Sequence, residues 1–142
     1  MESLHYLLMK SHMLLQRRIV ADAAAFGLTP GQPKILDFLH RYGESDQKTI
    51  ASYCEIEQAT AGSILLRMEK AGLIVRCQHE GNRRSLYVSL TEKGRDAAVL
   101  LQHVFEEAEE AAAANLSEEE VKELKRMLKI LAETLRSQKP AG

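Results

Sequence analysis

Tryptophan is absent from this 142-residue chain, and aromatic residues make up only 5% of it. That argues against a surface that stacks unpaired bases, as single-stranded RNA binders use. Two cysteines are too few for a disulfide scaffold and fit a reducing compartment. No uncharged apolar run exceeds the five residues Ala97–Leu101, so a membrane-spanning helix is excluded. Glu2 and His5 stand where a secretory leader would carry basic charge, so a cytoplasmic protein is expected. Enzyme signatures are missing too: there is no G-x-S-x-G, H-E-x-x-H, phosphate-binding glycine loop or C-x-x-C. The histidines (His5, His12, His40, His79, His103) are scattered. No catalytic residues and no cofactor are expected.

What is present supports a core. Hydrophobic residues make up 45% of the chain and charged residues 27%, as in one folded domain or a small domain with helical extensions. The net charge of −1 hides an uneven distribution. Residues 47–95 balance at +3, whereas residues 96–142 balance at −4. A basic middle beside an acidic C-terminal part is an asymmetry that can hide a DNA-facing surface.

Apolar residues at Leu4, Leu7, Leu8, Leu15 and Ile19 predict a helix from Glu2 to Ala25, with Gly27 as its left-handed terminator. Thr29 and Pro30 suit the cap and first position of a second helix. Its stripe is Ile35, Leu36 and Leu39, and Tyr42-Gly43 closes it. A short helix over 47–53 and a longer one over 58–71 flank a turn at Cys54–Glu57, the spacing of a helix-turn-helix. Segments 73–79 and 84–90 alternate, and Glu80-Gly81-Asn82-Arg83 between them reads as the turn of a β-hairpin. Leu73, Val75 and Cys77 then share an inward face whose counterpart is Leu86, Val88 and Leu90. Thr91 caps a helix reaching about Ala113, with Ala98, Leu101, Phe105, Ala108 and Ala112 as its stripe. Ser117 and Glu120 form a capping box for the last helix. There Val121, Leu124, Leu128, Leu131 and Leu135 make a coiled-coil-like seam.

This order predicts a mainly α fold with a small β-hairpin. A winged helix-turn-helix (29–94) lies between an N-terminal dimerisation helix (1–28) and C-terminal dimerisation helices (95–138), with a disordered tail (139–142). Dimerisation is expected because the terminal helices carry more apolar stripe than a small winged helix can cover.

At 100° per residue, the helix over 58–71 turns Ala61, Ile64, Leu65 and Met68 to one side. Ala59, Ser63, Leu66, Arg67 and Lys70 point the other way, with Thr60 and Gly62 on the flanks. Short side chains first and basic ones last suit a helix that enters the major groove. A plain amphipathic helix with a solvated face fits the same composition. Gly62 costs about 1 kcal/mol of helix propensity relative to Ala; close approach to DNA or to a neighbouring helix would account for it. At the hairpin tip, Arg83 and Arg84 offer guanidinium groups to a minor groove or to phosphates. Their place after a helix-turn-helix favours that reading over simple solvation.

Three stretches stand out: Leu28-Thr29-x-x-Gln32-x-x-Ile35-Leu36, Arg67-Met68-Glu69-Lys70-Ala71-Gly72-Leu73-Ile74-x-Arg76, and Asn82-Arg83-Arg84-x-x-x-Val88-x-Leu90-Thr91-x-x-Gly94. Together they resemble the MarR family of bacterial transcriptional regulators. The resemblance covers the whole chain. It implies a homodimer that binds pseudo-palindromic operators in double-stranded DNA and usually represses nearby genes until a small-molecule ligand releases it. By position it implies recognition-helix contacts from Thr60, Gly62, Ser63 and Arg67, a wing contact from Arg83, and Arg84 bracing the wing. Lys48 and Asn82 complete the expected DNA-binding set. Asn82 stands where the family usually has Asp, so one ionic partner for an arginine is missing. Asn82→Asp is therefore expected to change DNA affinity less than Arg83→Ala does.

Family effectors are commonly small aromatic or anionic molecules, and Tyr6, His12, Arg17, Phe38 and His40 are the residues that would line such a crevice, unless they are ordinary core or interface residues. Arg17 is the candidate carboxylate partner. Two other sensing chemistries stay open as alternatives. A redox sensor would use Cys54 or Cys77, although buried, inert thiols are the expectation for both. A metal sensor would use His103 with Glu107, joined by His40, but that pattern lacks a His-x-x-x-His pair, and no metal is expected. A helical adaptor that binds only protein is the alternative outside regulation; it would not need the basic wing.

Overall fold

The computed structural model describes residues 1–79 and 81–138, and only the backbone of residues 82–85. The expected disordered tail at 139–142 lies outside the described residues. The chain forms two compact units, Met1–Ala108 and a second from Glu109 onward. Its elements are α1 (Leu4–Ala24), α2 (Gln32–Tyr42), β1 (Ser45–Asp46), α3 (Gln47–Tyr53), α4 (Gln58–Lys70), β2 (Ile74–His79), β3 (Asn82–Leu90), α5 (Glu92–Ala112) and α6 (Glu118–Ser137). The strands form an antiparallel sheet in the order β1-β3-β2. No helix among the described residues is long and apolar enough to cross a membrane.

The core of the first unit is built from one face of each element. Ile35, Leu36 and Phe38 of α2 meet Ile50 of α3, Leu65 and Met68 of α4, Ile74 and Val88 of the sheet, and Leu101 and Val104 of α5. Caps hold the elements in place. Asp46 Oδ1 accepts from the Thr49 N–H at 2.8 Å and starts α3. Thr91 Oγ1 accepts from the Gly94 N–H at 3.0 Å and donates to the Gly72 carbonyl at 2.6 Å, tying the start of α5 to the end of α4. In the second unit, Ser117 and Glu120 form the expected capping box at α6.

Three local expectations are corrected. The second helix begins at Gln32, not at Pro30. Residues Thr29–Gln32 form a turn closed by Gln32 Oε1, which accepts from the Thr29 N–H at 3.1 Å. Gly31 takes φ +92°, and a Cβ on it would meet Ile64 Cδ1 at 2.8 Å, so the start of α2 packs against α4 through a glycine. The sheet also has a third strand: Ser45 and Asp46 pair with Val88 and Tyr87.

The third correction is the phase of the hairpin. Gly72, at φ +77°, ends α4, and Leu73 is buried before the strand begins. The alternation therefore starts at Ile74, which pairs with Leu90, and continues with Arg76 opposite Val88. A shift of one residue sends every later side chain to the other face. Val75 and Cys77 consequently stand exposed. Arg76 takes the inward phase with its side chain mostly covered and its guanidinium reaching Glu69 at 3.7 Å.

The terminal helices bury little. Leu4, Leu7, Leu8, Met9, Met13 and Leu14 of α1 are exposed. In α6 no residue is buried, and Leu124, Leu128 and Leu135 of the seam are exposed.

Candidate nucleic-acid interface

The joint between α3 and α4 sets the geometry of the site. Residues Cys54–Glu57 turn the chain, with Glu55 at φ +56° and the Ile56 N–H donating to the Ala51 carbonyl at 3.0 Å. The Cys54 thiol reaches back to the Lys34 carbonyl at 3.6 Å. Gln47, at the start of α3, donates from Nε2 to the Gln58 carbonyl at 3.0 Å and so fixes the first turn of α4 against α3. A Cβ on Gly62 would stand 3.0 Å from that same Nε2. Of the two accounts of Gly62, close approach to a neighbouring helix is thus present within the chain itself.

With α4 anchored in this way, Ala61, Leu65 and Met68 are buried and Ile64 is half-buried. The opposite face lies open. Thr60, Ser63, Arg67 and Lys70 are exposed, Gly62 is half-buried, and Lys48 of α3 is exposed too. Ser63 Oγ donates to the Ala59 carbonyl at 3.2 Å, so its hydroxyl is already oriented along the helix. Among the described residues no ion pair occupies Lys48, Arg67 or Lys70. Their positive charge faces solvent. The remaining expected contacts, Asn82, Arg83 and Arg84, belong to β3 in their backbone, but their side chains lie outside the described residues.

The five residues expected to line an effector crevice are spread over separate places. Phe38 is core, packed on Tyr42 and Tyr53 with ring centroids 5.2 and 4.9 Å away. His12 and Arg17 flank a shallow cleft on α1 with Met13, Gln16 and Val20. Tyr6 is exposed on the same helix, with Lys10 Nζ 5.8 Å from its ring centre. His40 lines a different cleft, of about 220 Å³, beside Glu44, Ser89 and Arg95.

The sulfur and metal alternatives also find their places. Cys54 is half-buried, and burial pushes its thiol up from the usual range, as an inert cysteine requires. Cys77 is exposed, against expectation, because of the shifted strand phase. His103 lies 3.9 Å from Glu106 with both side chains open to solvent. Sequence reasoning missed Gln47, which positions the recognition helix without belonging to any apolar pattern.

Comparison with known proteins agrees with this geometry. The sequence profile of the MarR family matches residues 28–86. The chain is 30% identical over 103 residues to the HTH-type transcriptional regulator MgrA of Staphylococcus aureus, covering 72% of this chain and 69% of MgrA. A MarR-family transcriptional regulator from Listeria monocytogenes, solved with a 26mer DNA, superposes over all of both chains with a TM-score of 0.90 at 21% identity, a likeness of fold. NadR, solved with 4-hydroxyphenylacetate, superposes with a TM-score of 0.75 at 27% identity over 93% of this chain and 94% of its own.

Proposed function

The chain belongs to the MarR family of DNA-binding transcriptional regulators, not to a family of enzymes, and we propose that it is a cytoplasmic homodimeric repressor released from its operator by a small molecule. The observation that carries the DNA-binding part is the open face of α4. Thr60, Ser63 and Arg67 stand exposed on a helix whose other side is locked into the core and whose first turn Gln47 holds. On this reading short side chains at the N-terminal end of α4 let the backbone approach base edges, Arg67 and Lys48 hold phosphates, and Arg83 in the wing adds a contact alongside. Asn82 and Arg84 support the wing.

The exposed apolar residues of α1 and of α6 favour a dimer, because faces of this kind are stable in water only when covered. A two-fold dimer would place two copies of α4 on a pseudo-palindrome with half-sites about one helical turn apart. The effector is read as an aromatic anion of the kind NadR was solved with. Arg17 and His12, which share the cleft on α1, are the groups on this chain suited to its carboxylate; Tyr6, Phe38 and His40 lie outside that cleft.

The test is enrichment of a random duplex pool on the full chain, then anisotropy of the selected duplex at two salt concentrations. The expected result is an inverted repeat whose affinity falls steeply with salt and falls again on adding an aromatic carboxylate. A folded dimer that enriches no duplex would overturn the reading.

A further inference from the structure

The outer face of the small sheet carries side chains that DNA recognition by α4 leaves unused. Cys77 and His79 are two residues apart on β2 and project from the same face. Tyr87 stands opposite Cys77 in register, and Ser89 follows on that face of β3. Glu44, just ahead of β1, reaches over the central strand to join them. The Cys77 sulfur, an imidazole nitrogen of His79 and a carboxylate oxygen of Glu44 all lie within 4.8 Å of one another. Among the described residues this is the one grouping of three or more such donors.

The arrangement around the three donors is ordered. Ser89 Oγ donates to Glu44 Oε2 at 2.7 Å and fixes the carboxylate, leaving Oε1 directed at His79 Nε2. The His79 ring lies flat on Tyr87, with centroids 3.6 Å apart and planes 4° from parallel. A register irregularity lies between Gln78 and His79, beside this cluster. Two of the three donors, Glu44 and His79, are therefore held by a neighbour, as metal ligands usually are. All three are exposed, so an ion can enter and water can complete its shell.

We propose that Glu44, Cys77 and His79 form a binding site for a divalent transition metal of the zinc class, with water as the fourth ligand. The donor set decides the class. One thiolate, one imidazole and one carboxylate suit borderline-soft Zn²⁺ and do not suit Mg²⁺ or Ca²⁺, which take oxygen. Donors around a tetrahedral zinc lie about 3.3 to 3.8 Å apart, given bonds of about 2.0 to 2.3 Å. The three donors, within 4.8 Å of one another, have to close by up to about 1 Å to reach that spacing. The thiol loses its proton on binding, and the ion replaces the direct His79–Glu44 contact. The site is separate from His103 and Glu107, and it does not depend on the DNA-binding reading.

The experiment uses the full chain, reduced and stripped of metal with a chelator, and titrates it with Co²⁺ as the probe. The expected result is one Co²⁺ per chain with a thiolate-to-metal charge-transfer band that Zn²⁺ displaces and Mg²⁺ does not. Cys77→Ser abolishes the band, Cys54→Ser leaves it, and Glu44→Gln and His79→Ala each weaken binding by at least about tenfold. Circular dichroism of each variant checks that its fold is retained. Three outcomes overturn the proposal: no band, a band lost with Cys54 rather than Cys77, or one ion shared by two chains and indifferent to Glu44 and His79.

Discussion

Gly94, in the first turn of α5, lies so close to Leu73 that a Cβ built on it would fall 2.0 Å from the Leu73 carbonyl oxygen. That oxygen also accepts from the Thr91 N–H at 3.0 Å. The start of α5 and the link between α4 and β2 are thus joined at one carbonyl, and only glycine fits between them. Gly94→Ala is expected to destabilise the chain by about 2 kcal/mol or more, because backbone rather than a flexible side chain must move. Thermal unfolding followed by circular dichroism reads this as a midpoint lowered by several degrees. An unchanged midpoint would mean that α5 starts farther from Leu73 than it does here.

The Asp46 cap of α3 makes a pH-dependent prediction. Hydrogen bonds from the Thr49 side chain and backbone hold the Asp46 carboxyl below the usual carboxylate range. A depressed folded value means that the cap's contribution is fully present above the unfolded value of about 3.9 and is lost as pH falls through the lower, folded one. Asp46→Ala is expected to cost about 1 kcal/mol at pH 7. The gap between it and the parent chain should narrow in strong acid, toward the value that an uncharged cap gives. Asp46→Asn, which caps without ionising, should show no such convergence with Asp46→Ala. Urea unfolding across pH measures all three, and a constant gap would remove the carboxylate from the account.

Arg67 is exposed near the C-terminal end of α4 and makes none of the ion pairs among the described residues. Its removal should leave the folding midpoint unchanged within about 0.5 kcal/mol, as for a surface position without special contacts. DNA affinity should fall nearly equally for all duplexes, and the slope of log affinity against log salt should flatten by about one. Anisotropy with the selected duplex and a scrambled one gives both readouts. Loss confined to the selected duplex would make Arg67 a reader of bases instead.

Much of this was legible in the sequence, and the parts that were not share a cause. The helix-turn-helix over residues 47–70, the capping box at Ser117 and Glu120, and the left-handed end at Gly27 follow from periodicity and local hydrogen bonding, which a single stretch of chain records. The phase of β2 cannot be read from the sequence because Leu73 is apolar whether it begins the strand or fills the core just before it. Only its packing tells the two apart. Likewise Gln47 and Gln58 lie eleven residues apart, and nothing in either stretch announces that one amide holds the other's carbonyl. The two-residue strand at Ser45–Asp46 exists only because β3 passes beside it.

The two cysteines should separate cleanly in a labelling experiment. Cys54 is half-buried, its thiol reaches the Lys34 carbonyl, and burial keeps its ionisation above the usual thiol range. Cys77 stands exposed on the outer face of β2. The attacking species in alkylation is the thiolate, so exposure favours Cys77, while burial and a raised thiol slow Cys54. Iodoacetamide applied to the folded, reduced, chelator-treated full chain should modify one site quickly, and peptide mapping should place it at Cys77. Denaturant should then bring Cys54 to a similar rate. Equal rates in the folded chain would show that α3 opens faster than the reagent reacts, and a faster Cys54 would contradict the placement of both thiols.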